Sequence, residues 1–576
     1  MRKTIIFLSN SKSGWIILLI LLVLINITAS YFKFRIDLTS EKRFTLSTPT
    51  KKLLQNLDSV ITIDVLLEGD LPADFRKLQN STKDLLNEMQ EYAGKKLMYR
   101  FINPQTILQD SSFTALLSYF ELQPYSREAQ TKKGEEKVLL FPFAVVSSGP
   151  KKWGIDLLKG KIVYDTDPLA GTRQINEAKS INASESLLEF KFADAIDKIQ
   201  KKQKPRVAYL VGNGEPTGPD VYDLGRTLSQ TYNWGILDIN QVAIIPTIVD
   251  AIIIVKPTVK FEDSIKQKID QYIMQGGKVL WFLDNLDANK DSLARLTQTV
   301  AYDIGLNLDD QLFKYGVRIN RDLVQDLQCD VVPIVIGNAG GQPQIQPVPF
   351  NYYSLLTPSN NNAITRNIEP VLSQYANSMD TVKAPGIKKT VLLSTSENSK
   401  FVSTPAIISL QELKTIEDPQ LYTKKFLPTA YLLEGKFNST FAHRTSPEIQ
   451  NKFQQLYKAP FKAQCTIDNK MIVVSDGDIV LNKVPSSQQE PPPMGLSNSQ
   501  QQLYANKIFF QNALEYLTNP SGIIETRNKD VFLRLLNKVK VEEQRAQWQM
   551  INIAVPVLLI ILCGFIYQQL RKRKYN

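Results

Sequence analysis

The stretch "RVAYLVGNGEPTG", residues 206–218, decides how the chain is read. An apolar run, "VAYLV", ends in two glycines one residue apart. That is either a buried strand closing on a turn or a loop that cradles a phosphate. A helical pattern follows near "DVYDLGRTLSQTY", then "GILDIN", "AIIIV" (251–255), "KFEDSIKQKIDQYIMQGG" and "KVLWFLDN" (278–285). Apolar strands alternating with amphipathic helices predict a doubly wound α/β layer whose sheet is covered on both faces. The loop itself departs from the dinucleotide fingerprint, because Thr217 stands where a third glycine should open the helix and Pro216 intervenes. The chain contains no Walker sequence, so the glycines are not expected to serve nucleotide hydrolysis.

Ligands of open α/β sheets gather outside the carboxyl ends of the strands. Here that rule collects Asn213 and Glu215 from the first strand, Lys256 from the next, and Asp284 and Asn285 from "LWFLDN" as candidate ligand-binding residues. Polar residues also stand at strand ends simply because the chain emerges into water there. Catalysis has less support. The single histidine, His443, lies in "FAHRTSPE" and is expected to be a structural hydrogen-bonding residue. It excludes histidine-rich metal sites, and no G-x-S-x-G elbow is present. "SDGD" (475–478) lacks the spaced ligands of a calcium loop and is expected to be a turn. No catalytic residue, metal site or cofactor is therefore assigned. A hydrolase built on Glu215 and Asp284 stays the least favoured option.

The same pattern of strand and helix precedes this region. "VITIDVLL" (60–67), "ADFRKLQNSTKDLLNEMQEYA" (73–93) and "KLMYRFIN" (96–103) read as a β-α-β unit with parallel strands. Ser47 or Thr48 is expected to cap the helix before it. Strands at 137–147 and 152–158 and a helix at 184–200 complete a first domain over 36–200. The central doubly wound domain covers 201–325. Residues 326–485 read as a mixed or β-rich extension of shorter strands joined by long loops. A polar loop spans 486–502, and C-terminal helices with a juxtamembrane stretch occupy 503–549, where Phe532, Leu535, Leu536 and Val539 form one stripe.

With 576 residues the chain is too long for one core, and 43% hydrophobic with 22% charged residues argues for folding throughout. The net charge of +11 is not a nucleic-acid signature. Seven of those charges (Arg2, Lys3, Lys12, Arg571, Lys572, Arg573 and Lys574) flank the two most apolar stretches, which leaves +4 for everything between them. Those stretches are "WIILLILLVLINITASY" (15–31) and "INIAVPVLLIILCGFIY" (551–567). Each would span about 26 Å as a helix, the short end for crossing a bilayer. Basic flanks put both termini in the cytoplasm, within residues 1–35 and 550–576, and the middle on the far side. A cleaved signal peptide is the other reading of the first stretch and exports the middle equally. Cys329, Cys465 and Cys563 need no disulfide framework, though one bridge between Cys329 and Cys465 is possible.

Several segments together resemble the GldG family, gliding-motility-associated auxiliary proteins of an ABC-transporter-type complex: "RIDLTSEKRFTLSTPTKKLLQNL" after an apolar N-terminal stretch, "YLVGNGE", "QYIMQGGKVLWFLDN", "FKYGVRINRDLVQDL" and "FFQNALEYL" before the last one. Asn213 stands where that family more often has histidine. The resemblance implies periplasmic doubly wound α/β domains with a β-containing C-terminal part, flanked by one transmembrane helix at each end and anchored in the bacterial inner membrane. It also implies partners: a multi-span GldF-like permease subunit and a cytosolic GldA-like ATPase, with oligomerisation possible and no nucleic acid. A fold relationship to a domain of an intraflagellar-transport subunit is implied as well, which suits a scaffold as readily as a sugar binder. The leading expectation is a non-enzymatic, substrate-binding-like accessory subunit. The alternative is a tethered binding protein for a carbohydrate or peptidoglycan fragment.

Overall fold

The computed structural model describes residues 45–528, except 105–110, 121, 132–133, 161–163, 167–172, 289–292, 294–296, 340–341, 412, 414–417, 483–490, 498 and 501; it also describes 538–575 and, near the start, 19–21, 23 and 24. The first apolar stretch, apart from those five positions, and Phe532, Leu535 and Leu536 thus lie outside the described residues. The chain divides into two units, residues 1–529 and 530–576.

The first unit opens with helix α1 (Thr48–Gln55), capped by Ser47 through the Thr50 N–H, with Pro49 in its first turn. Strand β1 (Ile61–Val65), helix α2 (Ala73–Ala93) and strand β2 (Leu97–Phe101) form the expected unit, and β1 and β2 pair in parallel. Helix α2 buries Phe75, Leu78, Leu86 and Met89, which recur at helical spacing, against the sheet. The run expected as one strand over 137–147 is broken at Phe141-Pro142. Its first part pairs with Tyr125–Thr131 in a hairpin, and its second becomes β3 (Phe143–Ser148), antiparallel to β1 and to β4 (Lys151–Asp156). Proline has no N–H to continue a ladder, which accounts for the break. Helix α3 (Leu188–Gln200) covers this four-stranded sheet, of order β2-β1-β3-β4, with Leu188, Phe192, Ala195, Ile196 and Ile199.

The central sheet carries β5 (Arg206–Val211), β6 (Asn233–Asp238), β7 (Ala251–Val255) and β8 (Lys278–Phe282), all parallel. All five residues of β7 are buried, as a strand covered on both faces requires. Alternate residues feed two cores. Tyr209, Ile253 and Phe282 pack beneath helix α4 (Tyr222–Thr231), while Leu210, Ile254 and Trp281 pack beneath helix α5 (Asp263–Met274).

The sheet does not stop at residue 325. It continues through strands β9 (Cys329–Ala339), β10 (Gln342–Pro358), β11 (Ile387–Ser394), β12 (Pro428–Gly435) and β13 (Asn469–Val474) in the spatial order β6-β5-β7-β8-β13-β12-β11-β10-β9. Strand β13 lies parallel to β8, and from β12 outward every pairing is antiparallel. The extension expected beyond 325 therefore shares the central domain's sheet. Helix α6 (Asn506–Thr518) returns to the α4 face with Phe509, Phe510, Ala513 and Leu514.

Where short strands and long loops were expected, β9 and β10 form an 11- and 17-residue hairpin. Pro343, Pro347 and Pro349 sit in β10, and Pro333 faces Pro347 across the pair. β9 ends the sheet order, so prolines that cannot serve a central ladder are tolerated beside it. The described part of the 486–502 loop is tied down rather than free. Met494 is buried, and its N–H donates to Asp223 Oδ2 at 3.0 Å. Cys329, Cys465 and Cys563 are free thiols, so the possible bridge is not formed.

The second unit is helix α7 (Lys538–Tyr575), with Pro556 inside it. Its segment Glu543–Gln569, 27 residues containing an 18-residue window with a mean hydropathy of 2.5, is long and apolar enough to cross a membrane, and that window is fully exposed. It would reach about 40 Å at 1.5 Å per residue, beyond a ~30 Å hydrocarbon layer. It is the one such helix among the described residues.

Candidate functional site

The turn after β5 answers its own question. Gly212 and Gly214 have φ of +124° and +81°, which glycine adopts most readily. A Cβ on Gly214 would meet Thr258 Oγ1 at 2.2 Å, so the second glycine also permits close contact with the loop after β7. The Thr258 and Val259 N–H groups both donate to Asn213 O, at 3.0 and 2.8 Å. The turn does gather N–H groups as an anion nest would. Glu215 fills it: one carboxylate oxygen accepts the Asn213 N–H at 2.7 Å. Burial raises the Glu215 pKa, while the N–H groups of Asn213, Glu215 and Gly212 pull the other way. The Asn213 amide donates to Lys260 O at 3.2 Å. Glu215 thus binds its own turn, and Asn213 ties that turn to the loop after β7.

Lys256 and Asp284 come together one and two strands along. Lys256 Nζ stands 2.9 Å from Asp284 Oδ2 and 2.7 Å from Asp478 Oδ2. Asp284 Oδ1 accepts the Gly477 N–H at 2.5 Å. Asp476, fully buried, accepts the N–H groups of Gln374 at 2.8 Å and Asp478 at 2.7 Å. The partners come from "SDGD", expected to be only a turn. It is a turn, but one that follows β13, and β13 lies beside β8. Sequence order hid this, since about 190 residues separate Asp284 from Asp478. Gly477 is needed there because a Cβ would lie 2.5 Å from Lys256 Cβ. Lys256 itself has φ +44°.

Burial works against the charged forms of Lys256, Asp284 and Asp476, and the charges of their neighbours add to it or oppose it. Burial pulls the Lys256 ammonium down, but Asp284 and Asp478 outweigh it, and its pKa is raised. Burial raises Asp284 against the opposing pull of Lys256. Asp476 is pushed up to about 7 by burial and by the neighbouring Asp284 and Asp478 charges. The oxygens of Asp284, Asp476 and Asp478 lie close enough to hold a cation. The Lys256 ammonium already contacts two of them, so a metal ion would have to displace it.

Asn285 faces elsewhere. Its N–H donates to Asn377 Oδ1 at 2.8 Å and its amide to Ile319 O at 2.9 Å, which fastens β8 to the following loops. No hydrogen bond or ion pair joins Glu215 to Lys256 or Asp284 among the described residues. The five candidates therefore form a self-filled turn, an ion cluster and a staple rather than one crevice. His443 is exposed, without the hydrogen bond expected of it.

A family model described as an ABC-type uncharacterized transport system matches residues 204–513, and a domain of unknown function matches 40–147. An uncharacterized protein of Borreliella burgdorferi is 21% identical over 479 residues, covering 81% of this chain and 82% of its own length. Among solved structures, the mmIFT52 N-terminal domain is similar at a TM-score of 0.29 and 13% identity, covering 57% of this chain and all of that one. A β-galactosidase from Rahnella sp. R3 is similar at 0.24 and 8% identity, covering 59% and 35%.

Proposed function

The chain belongs to the family of ABC-type uncharacterized transport system auxiliary proteins, and from that premise we propose that it is a non-enzymatic, substrate-binding-like accessory subunit. Its α/β unit stands on the periplasmic side of the bacterial inner membrane, held by α7 and by a second span at residues 15–31, with both termini cytoplasmic. It works beside a GldF-like permease subunit and a GldA-like ATPase in a complex serving gliding motility.

The observation that carries this reading is the match over 204–513, which takes in the whole central sheet and the first part of α6. Three features of the chain support it. An exposed apolar helix ends the chain, no nucleotide loop is present, and the strand-end carboxylates bind a lysine or their own turn. The test is co-purification. A tagged chain, gently solubilised from membranes of its own organism, should bring down a multi-span subunit and an ATPase. A chain that migrates alone overturns the complex, and a reporter after residue 300 that faces the cytosol overturns the topology.

A further inference from the structure

Between the first sheet's covering helix and the central sheet lies a cavity of about 190 Å³. Trp153 and Phe120 line it from the first lobe, and Tyr232 and Phe510 from the central one. Four cationic side chains reach it: Lys159, Lys191, Lys198 and Arg527. So do three carboxylates, each already engaged. Asp194 holds Lys198 at 2.7 Å, Glu515 lies 3.7 Å from Lys201 and accepts from Tyr232, and Asp156 caps the N–H groups of Leu158 and Lys159.

Arg527 has no such partner. It is 5% exposed, its Nη2 donates to Arg366 O at 3.1 Å, and its guanidinium lies over the Phe190 ring at 4.8 Å. Its Nε is buried without a hydrogen-bond partner, and it forms no ion pair among the described residues. Lys191 donates to Leu157 O at 2.7 Å and likewise forms no ion pair among them. A buried cation that no ion pair satisfies is costly, and a cavity beside it gives a further counter-charge somewhere to sit.

We propose that this cavity binds a small organic anion, its carboxylate or phosphate between Arg527 and Lys191 and its apolar body against Trp153 and Phe120. The volume sets the scale, because an apolar cavity of about 150 Å³ takes up benzene. The electrostatics agree: burial, with Lys159 and Arg527 nearby, lowers Lys191 to about 7 despite Asp156, and burial lowers Arg527 to about 10 despite Asp194. Because both lobes line the cavity, an occupant would also link them. The inference does not depend on the transport complex.

The test is calorimetric titration of the full chain in detergent with phenyl phosphate, benzoate and neutral benzamide. Saturable binding of either anion, with a raised Tm and none for benzamide, is expected, and the preferred anion identifies the head group. Arg527→Gln and Lys191→Met should each weaken binding about tenfold or more. Lys191→Met is the cleaner variant should Arg527→Gln lower Tm, since it removes a charge from a half-buried site. Absence of saturation by both anions up to about 10 mM overturns the site. So does equal binding of benzamide, or unchanged affinity in Lys191→Met.

Discussion

The strand-end cluster and the cavity between the lobes both bury lysine, and they treat it in opposite ways. Lys256 lies between Asp284 and Asp478 at 2.9 and 2.7 Å, its charge matched within the protein. Lys191 and Arg527 make carbonyl contacts but no ion pair among the described residues. In an open α/β sheet, position alone points to the first place as the ligand site. Charge balance points to the second. A matched buried charge holds loops together, whereas an unmatched one leaves a demand that another molecule can meet.

Exchanging each lysine for methionine tests this contrast. Lys256→Met removes the ammonium that bridges Asp284 and Asp478. It should cost about 3 kcal/mol in denaturant unfolding, the low end for a broken buried pair because the side chain is 26% exposed. Lys191→Met removes a charge that forms no ion pair among the described residues, so without added anion it should stay within about 0.5 kcal/mol of the parent or gain stability. Equal losses in the two variants would erase the distinction.

Much of the fold was legible because local patterns sufficed. The boundaries of α2 and β7 follow directly from apolar spacing, as do the parallel pairing of β1 with β2 and the two-faced cover of the central sheet. What could not be read was long-range. Nothing local to "MIVVSDGD" says that its strand lies beside β8, so Asp476 and Asp478 were missed while Asp284 and Lys256 were found. Arg527 escaped for the same reason, standing in a short helical turn far from Lys191 in sequence. The candidates that proved separate, Glu215 and Asn285, were grouped by a rule about strand ends that does not specify where each side chain points.

The next effect is a pH dependence of the matched cluster. Asp476 has a pKa of about 7 in the fold against an ordinary 3.8, so between those values the folded chain keeps a proton that the unfolded chain has released. Its contribution is fully present below 3.8 and is lost as pH rises through about 7. The loss should be on the order of 2 kcal/mol, shared with Asp284, whose charge acts directly on Asp476. Unfolding curves from pH 4 to 8 should flatten in Asp476→Asn relative to the parent. Parallel curves would mean that Asp476 is ionised throughout. Gly477→Ala should follow at about 1–2 kcal/mol, since its new methyl would meet Lys256 Cβ at 2.5 Å.

A small effect is also expected at the turn after β5. Glu215 supplies the negative charge that its nest of N–H groups would otherwise draw from a phosphate. Glutamine at that position keeps an acceptor for the Asn213 N–H and removes a carboxylate whose pKa burial has raised, so the two changes oppose each other. Glu215→Gln should therefore alter stability at pH 7 by less than about 1 kcal/mol and leave anion binding in the cavity unchanged. A loss of anion affinity in Glu215→Gln would mean that the two regions are coupled. The division between a strand-end edge whose buried lysine is matched and a ligand-seeking cavity would then have to be abandoned.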